Sequence, residues 1–176
     1  MRITISGPPG SGKTTVCSIL SERLDIRSIV FGNMFRELAK DKGITIAELG
    51  ELAENDPSVD MSIDERIVEI ARRSKNIILE SRLSAYMLSR NNIDAFKVYL
   101  DASPDVRIKR IGLRDGETES EAKKNTIERQ ASEAKRYMMY YKIDINDKSV
   151  YDLVVKTDNI LPEQVADEII KRMRTC

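Results

Sequence analysis

The chemistry of this sequence is concentrated in a glycine-rich segment near its start, GPPGSGKTT. Glycines at these positions let backbone N–H groups turn toward phosphate oxygens, and a lysine at this spacing can reach the β and γ phosphates of a nucleoside triphosphate. Lys13 is that lysine, the Thr14 hydroxyl is placed to bind Mg²⁺, and Thr15 is placed near the α phosphate. The predicted phosphate-binding residues are Gly7, Pro8, Pro9, Gly10, Ser11, Gly12, Lys13, Thr14 and Thr15.

The alternative is an ordinary glycine-rich turn that happens to contain a lysine. A short apolar strand precedes the segment, and Val16, Ile19, Leu20 and Leu24 follow it at helical spacing. A phosphate-binding loop requires this strand, loop and helix order, which also places the positive end of the helix dipole behind the phosphates. The context therefore favours a loop that binds a magnesium-bound nucleoside triphosphate.

A magnesium site of this kind also needs a carboxylate near the carboxyl ends of the strands. Glu80 and Asp101 each end a predicted strand, and either could hold a metal-bound water. Asp101 could equally be an exposed turn residue before the helix that begins at Ser103 and Pro104. The strand before Glu80 has the more buried pattern, so we favour Glu80 as the metal-side carboxylate.

Six arginines lie near the ends of predicted elements, and the planar guanidinium group suits phosphate oxygens. Arg82 directly follows a buried strand at the sheet edge that holds the glycine-rich loop, which favours phosphate binding. The spacings of Arg129, Glu133 and Arg136 fit ordinary surface ion pairs on a helix equally well. The six are Arg36, Arg82, Arg110, Arg114, Arg129 and Arg136.

Strands and helices alternate along the chain, which predicts a mainly parallel sheet covered by helices on both faces. We predict one domain over residues 1–176, an α/β three-layer P-loop NTPase fold with a five-stranded parallel sheet and two helical excursions, about 33–74 and about 112–141. Asn33 is the expected N-cap of the first excursion, and Thr45 with Glu48 predicts a capping box. Thr118 with Glu121 predicts another. The predicted strands are residues 3–6, 28–31, 76–80, 95–100 and 152–156.

The composition excludes several other functions. Lys and Arg total 29 and Asp and Glu total 29, so no long-range basic field attracts nucleic acid. There is no histidine, which excludes Ser-His-Asp and Cys-His catalysis and every histidine-ligated metal site. Cys17 and Cys176 form no disulfide framework, and no apolar run is long enough for a membrane span or signal peptide. We therefore expect a cytoplasmic monomer that uses small-molecule substrates.

The sequence lacks the Asp-x-x-Gly and Asn-Lys-x-Asp segments of a GTPase switch. Instead it resembles the nucleoside monophosphate kinases, and among them the short cytidylate kinases of the archaeal type. The likeness covers essentially the whole chain. It rests on GPPGSGKTT at Gly7, FRELAK at Phe35, LESRL at Leu79, AFKVYLDA at Ala95, ERQASEAKRY at Glu128, YYKIDI at Tyr140 and YDLVVKT at Tyr151.

The resemblance implies phosphoryl transfer from Mg²⁺-bound ATP to CMP or dCMP. It implies that Arg36 and Arg82 bind the acceptor phosphate. Arg129, Glu133 and Arg136 would belong to a lid over both nucleotides, with the two arginines reaching the transferring oxygens and Glu133 facing the acceptor nucleoside. Residues 33–74 would bind the acceptor and residues 112–141 would form the lid.

The sequence departs from the family pattern at Ser81, where glycine is common, and at Met61, where bacterial relatives place an arginine that Arg66 could replace. Asp56, Asp60 and Asp64 could accept from the cytosine amine or could be ordinary acids at a helix start. The alternatives to a cytidylate kinase are an adenylate or shikimate kinase and, from another class, an adenylate-kinase-like assembly ATPase.

Overall fold

The structure is a computed structural model that describes residues 1–175. A single five-stranded sheet runs through it in the order β2-β3-β1-β4-β5, and every neighbouring pair is parallel. This confirms the predicted five-stranded parallel sheet. The strands are β1 Arg2–Ser6, β2 Ser28–Val30, β3 Ile77–Glu80, β4 Phe96–Asp101 and β5 Leu153–Lys156.

Helices connect successive strands, as parallel pairing requires. The first excursion holds three of them between β2 and β3, and the second holds the long charged helix before β5. The helices are α1 Lys13–Leu24, α2 Phe31–Asp41, α3 Ile46–Asn55, α4 Ser58–Arg73, α5 Ser84–Arg90, α6 Pro104–Asp115, α7 Glu119–Tyr141 and α8 Pro162–Met173.

The two faces of the sheet carry separate apolar cores, because successive strand residues point to opposite sides. Ile78 packs with α1 and α8, whereas its neighbours Ile77 and Leu79 pack with α4 and α5. Cys17 belongs to the first of these cores as a free, fully buried thiol, and Cys176 lies outside the described residues. Helices therefore cover both faces, which confirms the three-layer prediction.

Both predicted capping boxes are present. Thr45 and Thr118 each accept from the backbone N–H three residues later, and Glu48 and Glu121 accept from the backbone N–H of the cap residue in return. The predicted N-cap at Asn33 is wrong.

Helix α2 begins instead at Phe31, directly after β2, with Val30 as its cap residue. Phe31 is 2% exposed in the core beside Leu79, and this burial starts the helix at the end of the strand. The predicted strand over 28–31 is one residue shorter for the same reason. Asn33 lies inside the helix, where its side chain accepts from Arg36 Nη2 at 2.6 Å.

The first excursion has a small core of its own, formed by Ala39, Leu49, Ala53 and Val59. Helix α7 packs against α3 of this region and also against α6. Within residues 1–175, no helix combines the length and apolar character needed to cross a membrane.

Candidate active site

The glycine-rich loop joins β1 to α1 and has the backbone that its glycines predict. Gly10 and Gly12 have positive φ angles of 81° and 89°, a region that L side chains rarely adopt. A Cβ atom on Gly10 would lie 2.7 Å from the carbonyl oxygen of Arg107, so a larger residue does not fit there. The loop therefore directs its backbone N–H groups by a conformation that depends on glycine.

Lys13 lies at the first position of α1, and its Nζ donates to the Pro8 carbonyl at 2.9 Å. Burial lowers the pKa of Lys13 to about 8. Glu80 opposes that shift, whereas Arg82 and Arg129 add to it. The lysine therefore sits among other cations at the loop, an arrangement that favours a polyanionic ligand.

Thr14 and Glu80 are brought together at the start of α1 and the end of β3. Thr14 Oγ1 donates to Glu80 Oε2 at 2.9 Å, and Glu80 is 5% exposed. Asp101, the alternative carboxylate, accepts instead from Lys148 Nζ at 2.8 Å. A hydroxyl and a free carboxylate are oxygen ligands that suit Mg²⁺, so these residues fit the ion that the sequence predicts.

No cluster of three or more acidic, cysteine or histidine side chains within residues 1–175 could hold a metal by itself. Mg²⁺ is commonly bound through one or two carboxylates together with substrate phosphates. Thr15 is exposed beside Thr14 in the first turn of α1.

Glu133 joins two arginines at the same edge of the sheet. Its carboxylate accepts from Arg82 Nε at 2.8 Å and from Arg129 Nε at 2.9 Å. Burial alone would raise the pKa of Glu133, but the two guanidinium groups lower it to about 2. Glu133 is 4% exposed, so the surface ion pair that the spacing allowed is wrong for this residue. The carboxylate fixes two cations from different elements near Lys13.

Arg36 lies on α2 and faces this group. Burial lowers the pKa of Arg36, and Arg129 lowers it further by repulsion. Its side chain hydrogen bonds only to the neutral Asn33 amide among the described residues. Arg36, Arg82 and Arg129 together provide more positive charge than Glu133 neutralises, which suits phosphate groups.

Arg136 pairs with a different carboxylate, that of Asp60 on α4. Its side chain is 3% exposed and its Nε is 3.2 Å from Asp60 Oδ2, while its Cζ lies 5.5 Å from the centre of the Phe35 ring. No ion pair joins it to Glu133 within the described residues. In this structure Arg136 therefore packs on the first helical excursion, and its contact with the transferring oxygens in a closed lid stays a prediction.

Three residues support the loop from behind, and of these only Arg110 was among the arginines that the sequence indicated. Arg107 Nη1 donates to the Pro9 carbonyl at 3.3 Å, and Arg110 Nη1 donates to the Gly10 carbonyl at 3.4 Å. Thr157 Oγ1 donates to the Ser11 carbonyl at 3.1 Å. Only the position of the two arginines on the helix after β4 could have suggested this role, because the loop atoms that they contact are backbone carbonyls.

Two other arginines make no hydrogen bond to the loop among residues 1–175. Arg114 pairs with its neighbour Asp115 at 2.6 Å on the surface. Arg66 lines a shallow cavity of about 290 Å³ with Arg27, Asn76 and Ile77 at the amino ends of β2 and β3. Arg82 follows the opposite end of β3, so Arg66 does not supply the cation that Met61 lacks.

The sheet order, the glycine-rich loop between β1 and α1 and the arginines over it define the P-loop kinase class. Solved structures share the fold. An uncharacterized protein from Eubacterium ventriosum matches with a TM-score of 0.73 at 21% identity, covering 100% of this chain and 99% of its own. Shikimate kinase from Bacteroides thetaiotaomicron matches with a TM-score of 0.60 at 16% identity, covering 99% and 96%.

Within that class, the chain belongs to the cytidylate kinase-like family, whose sequence profile matches residues 2–159. A cytidylate kinase from Methanosphaerula palustris is 50% identical over 90% of this chain and 89% of its own length. A cytidylate kinase from Sulfurisphaera tokodaii is 44% identical over 94% and 91%.

Proposed function

We propose that this protein transfers the γ-phosphoryl group of Mg²⁺-bound ATP to CMP or dCMP and produces ADP with CDP or dCDP. The observation that carries the proposal is the convergence of Arg36, Arg82 and Arg129 on the edge of the sheet beside Lys13. A donor site alone needs no such group of cations from three other elements. The relatives named cytidylate kinase support the choice of acceptor.

In the proposed mechanism, Lys13 binds the β and γ phosphates of the donor, and the loop N–H groups hold them in place. Thr14 and Glu80 would hold Mg²⁺, which supplies positive charge against the phosphate oxygens when it is bound. Arg36 and Arg82 bind the acceptor phosphate. Arg129 moves toward the transferring oxygens as the lid, residues 112–141, closes and excludes water.

No general base is required by this reaction. The attacking atom is a phosphate oxygen of the acceptor, and the second ionisation of a phosphate monoester lies near pH 6, so the oxygen is already unprotonated at pH 7. A new bond forms between this oxygen and the γ phosphorus while the bond to the β,γ-bridging oxygen breaks. A chain without histidine can therefore catalyse the reaction by positioning and by charge.

The test is an acceptor panel of CMP, dCMP, UMP, AMP, GMP and shikimate with ATP and Mg²⁺, in which ADP and the phosphorylated product are both measured. We expect CMP or dCMP to exceed AMP at least about a hundredfold in kcat/KM, equal to roughly 2.7 kcal/mol. Preference for AMP, GMP or shikimate would contradict the proposal. Slow ADP formation that is independent of the acceptor would indicate an ATPase instead.

We also propose that the protein works in the cytoplasm as a monomer on small-molecule substrates, without nucleic acid or membrane. Equal numbers of acidic and basic residues give no long-range field that would attract nucleic acid or an anionic membrane, which supports that part of the proposal. Light scattering of the purified protein tests the monomeric state.

A further inference from the structure

The cavity at the amino ends of β2 and β3 lies at the end of the strands opposite the glycine-rich loop. Its volume is about 290 Å³, and it lies between α4 and β2, the strand at one edge of the sheet. Three arginines line it: Arg27 directly before β2, and Arg66 and Arg73 on α4. We call it the rear cavity. Its other lining residues are Ile29, Ile70, Ser74, Asn76 and Ile77, so no carboxylate is among them.

Helix geometry places the two arginines of α4 on the same side of the helix. Arg66 and Arg73 are seven residues apart, which is about two turns or roughly 10 Å along the axis, and Ile70 lies between them. Arg27 is fixed across from α4, because its backbone carbonyl accepts from the Ile78 N–H at 2.9 Å at the start of the sheet. Guanidinium groups from two distant parts of the chain therefore line one opening.

The lining carries an excess of positive charge. Arg73 Nη2 pairs with Glu69 Oε1 at 2.7 Å, but Arg27 and Arg66 form no ion pair within residues 1–175. Three arginines less one carboxylate leave two positive charges at this cavity. The helix dipole favours Arg73 near the carboxyl end of α4, but it does not explain Arg66 in the middle of the helix or Arg27 before a strand.

The inner wall of the rear cavity is apolar. Ile77 is 2% exposed, and Ile29 and Ile70 are half-buried against the same core. A ligand that fits both the charge and this wall has an anionic group and an apolar body. A phosphate monoester carries about −1.5 to −2 charges at pH 7 and three acceptor oxygens, which matches the two positive charges. A carboxylate would neutralise only half of them.

Edge protection explains only part of this arrangement. A charged residue beside an edge strand discourages pairing with another chain, and Arg27 alone meets that need for β2. The arginines of α4 lie outside the sheet and do not serve this purpose. The volume between them and the strand is at the lower end of the range for pockets that bind small molecules.

We propose that the rear cavity binds a small phosphate monoester with an apolar or aromatic body. The phosphate lies between Arg27 and Arg66, and the body packs on the three isoleucines. Ile77 and Glu80 are at opposite ends of β3, about 10 Å apart along the strand, so this ligand occupies a site separate from that of the substrates. The proposal does not depend on which acceptor the protein phosphorylates.

The experiment uses isoleucine side chains as local probes. Wild-type protein with isotope-labelled isoleucine methyl groups is titrated with phenyl phosphate and observed by NMR. The aromatic ring should shift the methyl signals of Ile29, Ile70 and Ile77 together, with one dissociation constant. The signal of Ile169, which belongs to the core on the other face of the sheet, should not move.

The charge and the apolar body are tested separately by competition with phenyl phosphate. Inorganic phosphate supplies only the anion and benzyl alcohol only the ring, so we expect each to bind at least about tenfold more weakly. The double variant Arg27→Gln with Arg66→Gln should weaken phenyl phosphate binding at least about tenfold, because it removes both unpaired guanidinium groups.

The matched control is Arg72→Gln. Arg72 is an exposed arginine of α4 that does not line the rear cavity and instead donates to Asn91 Oδ1 at 3.1 Å. It should change the affinity for phenyl phosphate less than about twofold, because only the screened surface charge differs. Equal weakening by Arg72→Gln and by the double variant would show a general effect of surface charge and overturn the proposal.

Two further results would also overturn the proposal. One is the absence of shifts at the three isoleucine signals with phenyl phosphate at up to about 10 mM. The other is benzyl alcohol that binds as tightly as phenyl phosphate, which would show an apolar crevice without anion recognition. If the double variant does not fold, the single variants Arg27→Gln and Arg66→Gln replace it, and unchanged affinity in both would contradict the proposal as well.

Discussion

Thr14 Oγ1 donates a 2.9 Å hydrogen bond to Glu80 Oε2, and this bond joins the first turn of the helix after the glycine-rich loop to the end of the neighbouring strand. Strands β1 and β3 are adjacent and parallel, with Ile5 opposite Glu80, so their carboxyl ends bring the two groups to the same edge. The hydroxyl and the carboxylate are thus preorganised in the protein itself.

The first prediction concerns this pair. Glu80→Gln keeps the side-chain shape but removes the charge that would bind a metal-bound water. We expect the Mg²⁺ concentration for half-maximal activity to rise about 10- to 100-fold, the range typical for residues that orient metal ligands. A magnesium titration of the steady-state rate at saturating ATP measures this change.

The control for that measurement is Asp101→Asn, which removes the other strand-end carboxylate. Asp101 is engaged with Lys148, so its loss should leave the magnesium dependence unchanged. A larger shift for Asp101→Asn than for Glu80→Gln would reverse the assignment of the metal-side carboxylate.

The second prediction uses the lowered pKa of Lys13. With a pKa of about 8, roughly half of the free protein carries a neutral lysine at pH 8. Bound phosphates favour the charged form, so ATP binding should take up a fraction of a proton at pH 8 and almost none at pH 6.5. Calorimetric titrations in buffers of different ionisation enthalpy measure the uptake.

Lys13→Ala tests the same residue by removal. This variant should show no uptake at pH 8 and should lose turnover while it keeps its circular dichroism spectrum, because the charge acts on the transferring phosphate. Near-normal turnover in Lys13→Ala would remove the basis for the donor site.

The third prediction concerns Arg129 as the lid cation. One-third of its side chain is exposed, and its positive charge lowers the pKa of both Lys13 and Arg36. Arg129→Ala should lower kcat by about a hundredfold, the scale for one preorganised donor, with a much smaller change in ATP affinity. Lys124→Ala, at an exposed pair with Glu128 on the same helix, should leave kcat unchanged. Similar kcat values for both variants would make Arg129 a structural partner only.

The fourth prediction is a pH dependence of stability from Asp64. Burial raises its pKa to about 7, against an ordinary value of 3.8; the Tyr141 hydroxyl opposes the shift and Asp60 adds to it. The folded protein then binds the proton more tightly than the unfolded chain, so this stabilising contribution is complete below about pH 4 and is lost as the pH rises through 7.

The variant Asp64→Asn cannot ionise at this position, so it does not lose stability there as the pH rises. The free energy of unfolding of the variant, relative to wild type, should increase by at least about 1 kcal/mol between pH 4.5 and 7.5, because one pKa unit corresponds to about 1.4 kcal/mol. Urea unfolding at several pH values measures it. The exposed neighbour Glu65 provides the control Glu65→Gln, and a difference that stays flat with pH for both variants would contradict the prediction.

The glycine-rich loop and its flanking strand and helix were predictable because the residues of the loop are contiguous. Nine contiguous residues, from the end of one strand through the first turn of the next helix, define it, and their conformation follows from local glycine positions and helix geometry. Strands and capping boxes were predictable for the same reason, since their signals extend over a few residues.

The contacts of Arg136 were not predictable in this way. Helical spacing offered Glu133 as its partner, but packing of α7 on the first helical excursion placed Asp60 there instead. Similarly, the start of α2 depended on the burial of Phe31 against distant residues of β3. Such features are decided by which elements meet in the folded chain, and a single sequence contains no local signal for them.

The hydrogen bonds of Thr157 determine when, during synthesis of the chain, the glycine-rich loop gains its support. Its hydroxyl bonds to Ser11 in the donor loop, and its backbone N–H bonds to Asp101 at the end of β4, so the loop is fastened by a residue near the other end of the sequence. Ribosomal synthesis delivers residues in order. The loop of a nascent chain therefore lacks this support until Thr157 has left the ribosomal exit tunnel.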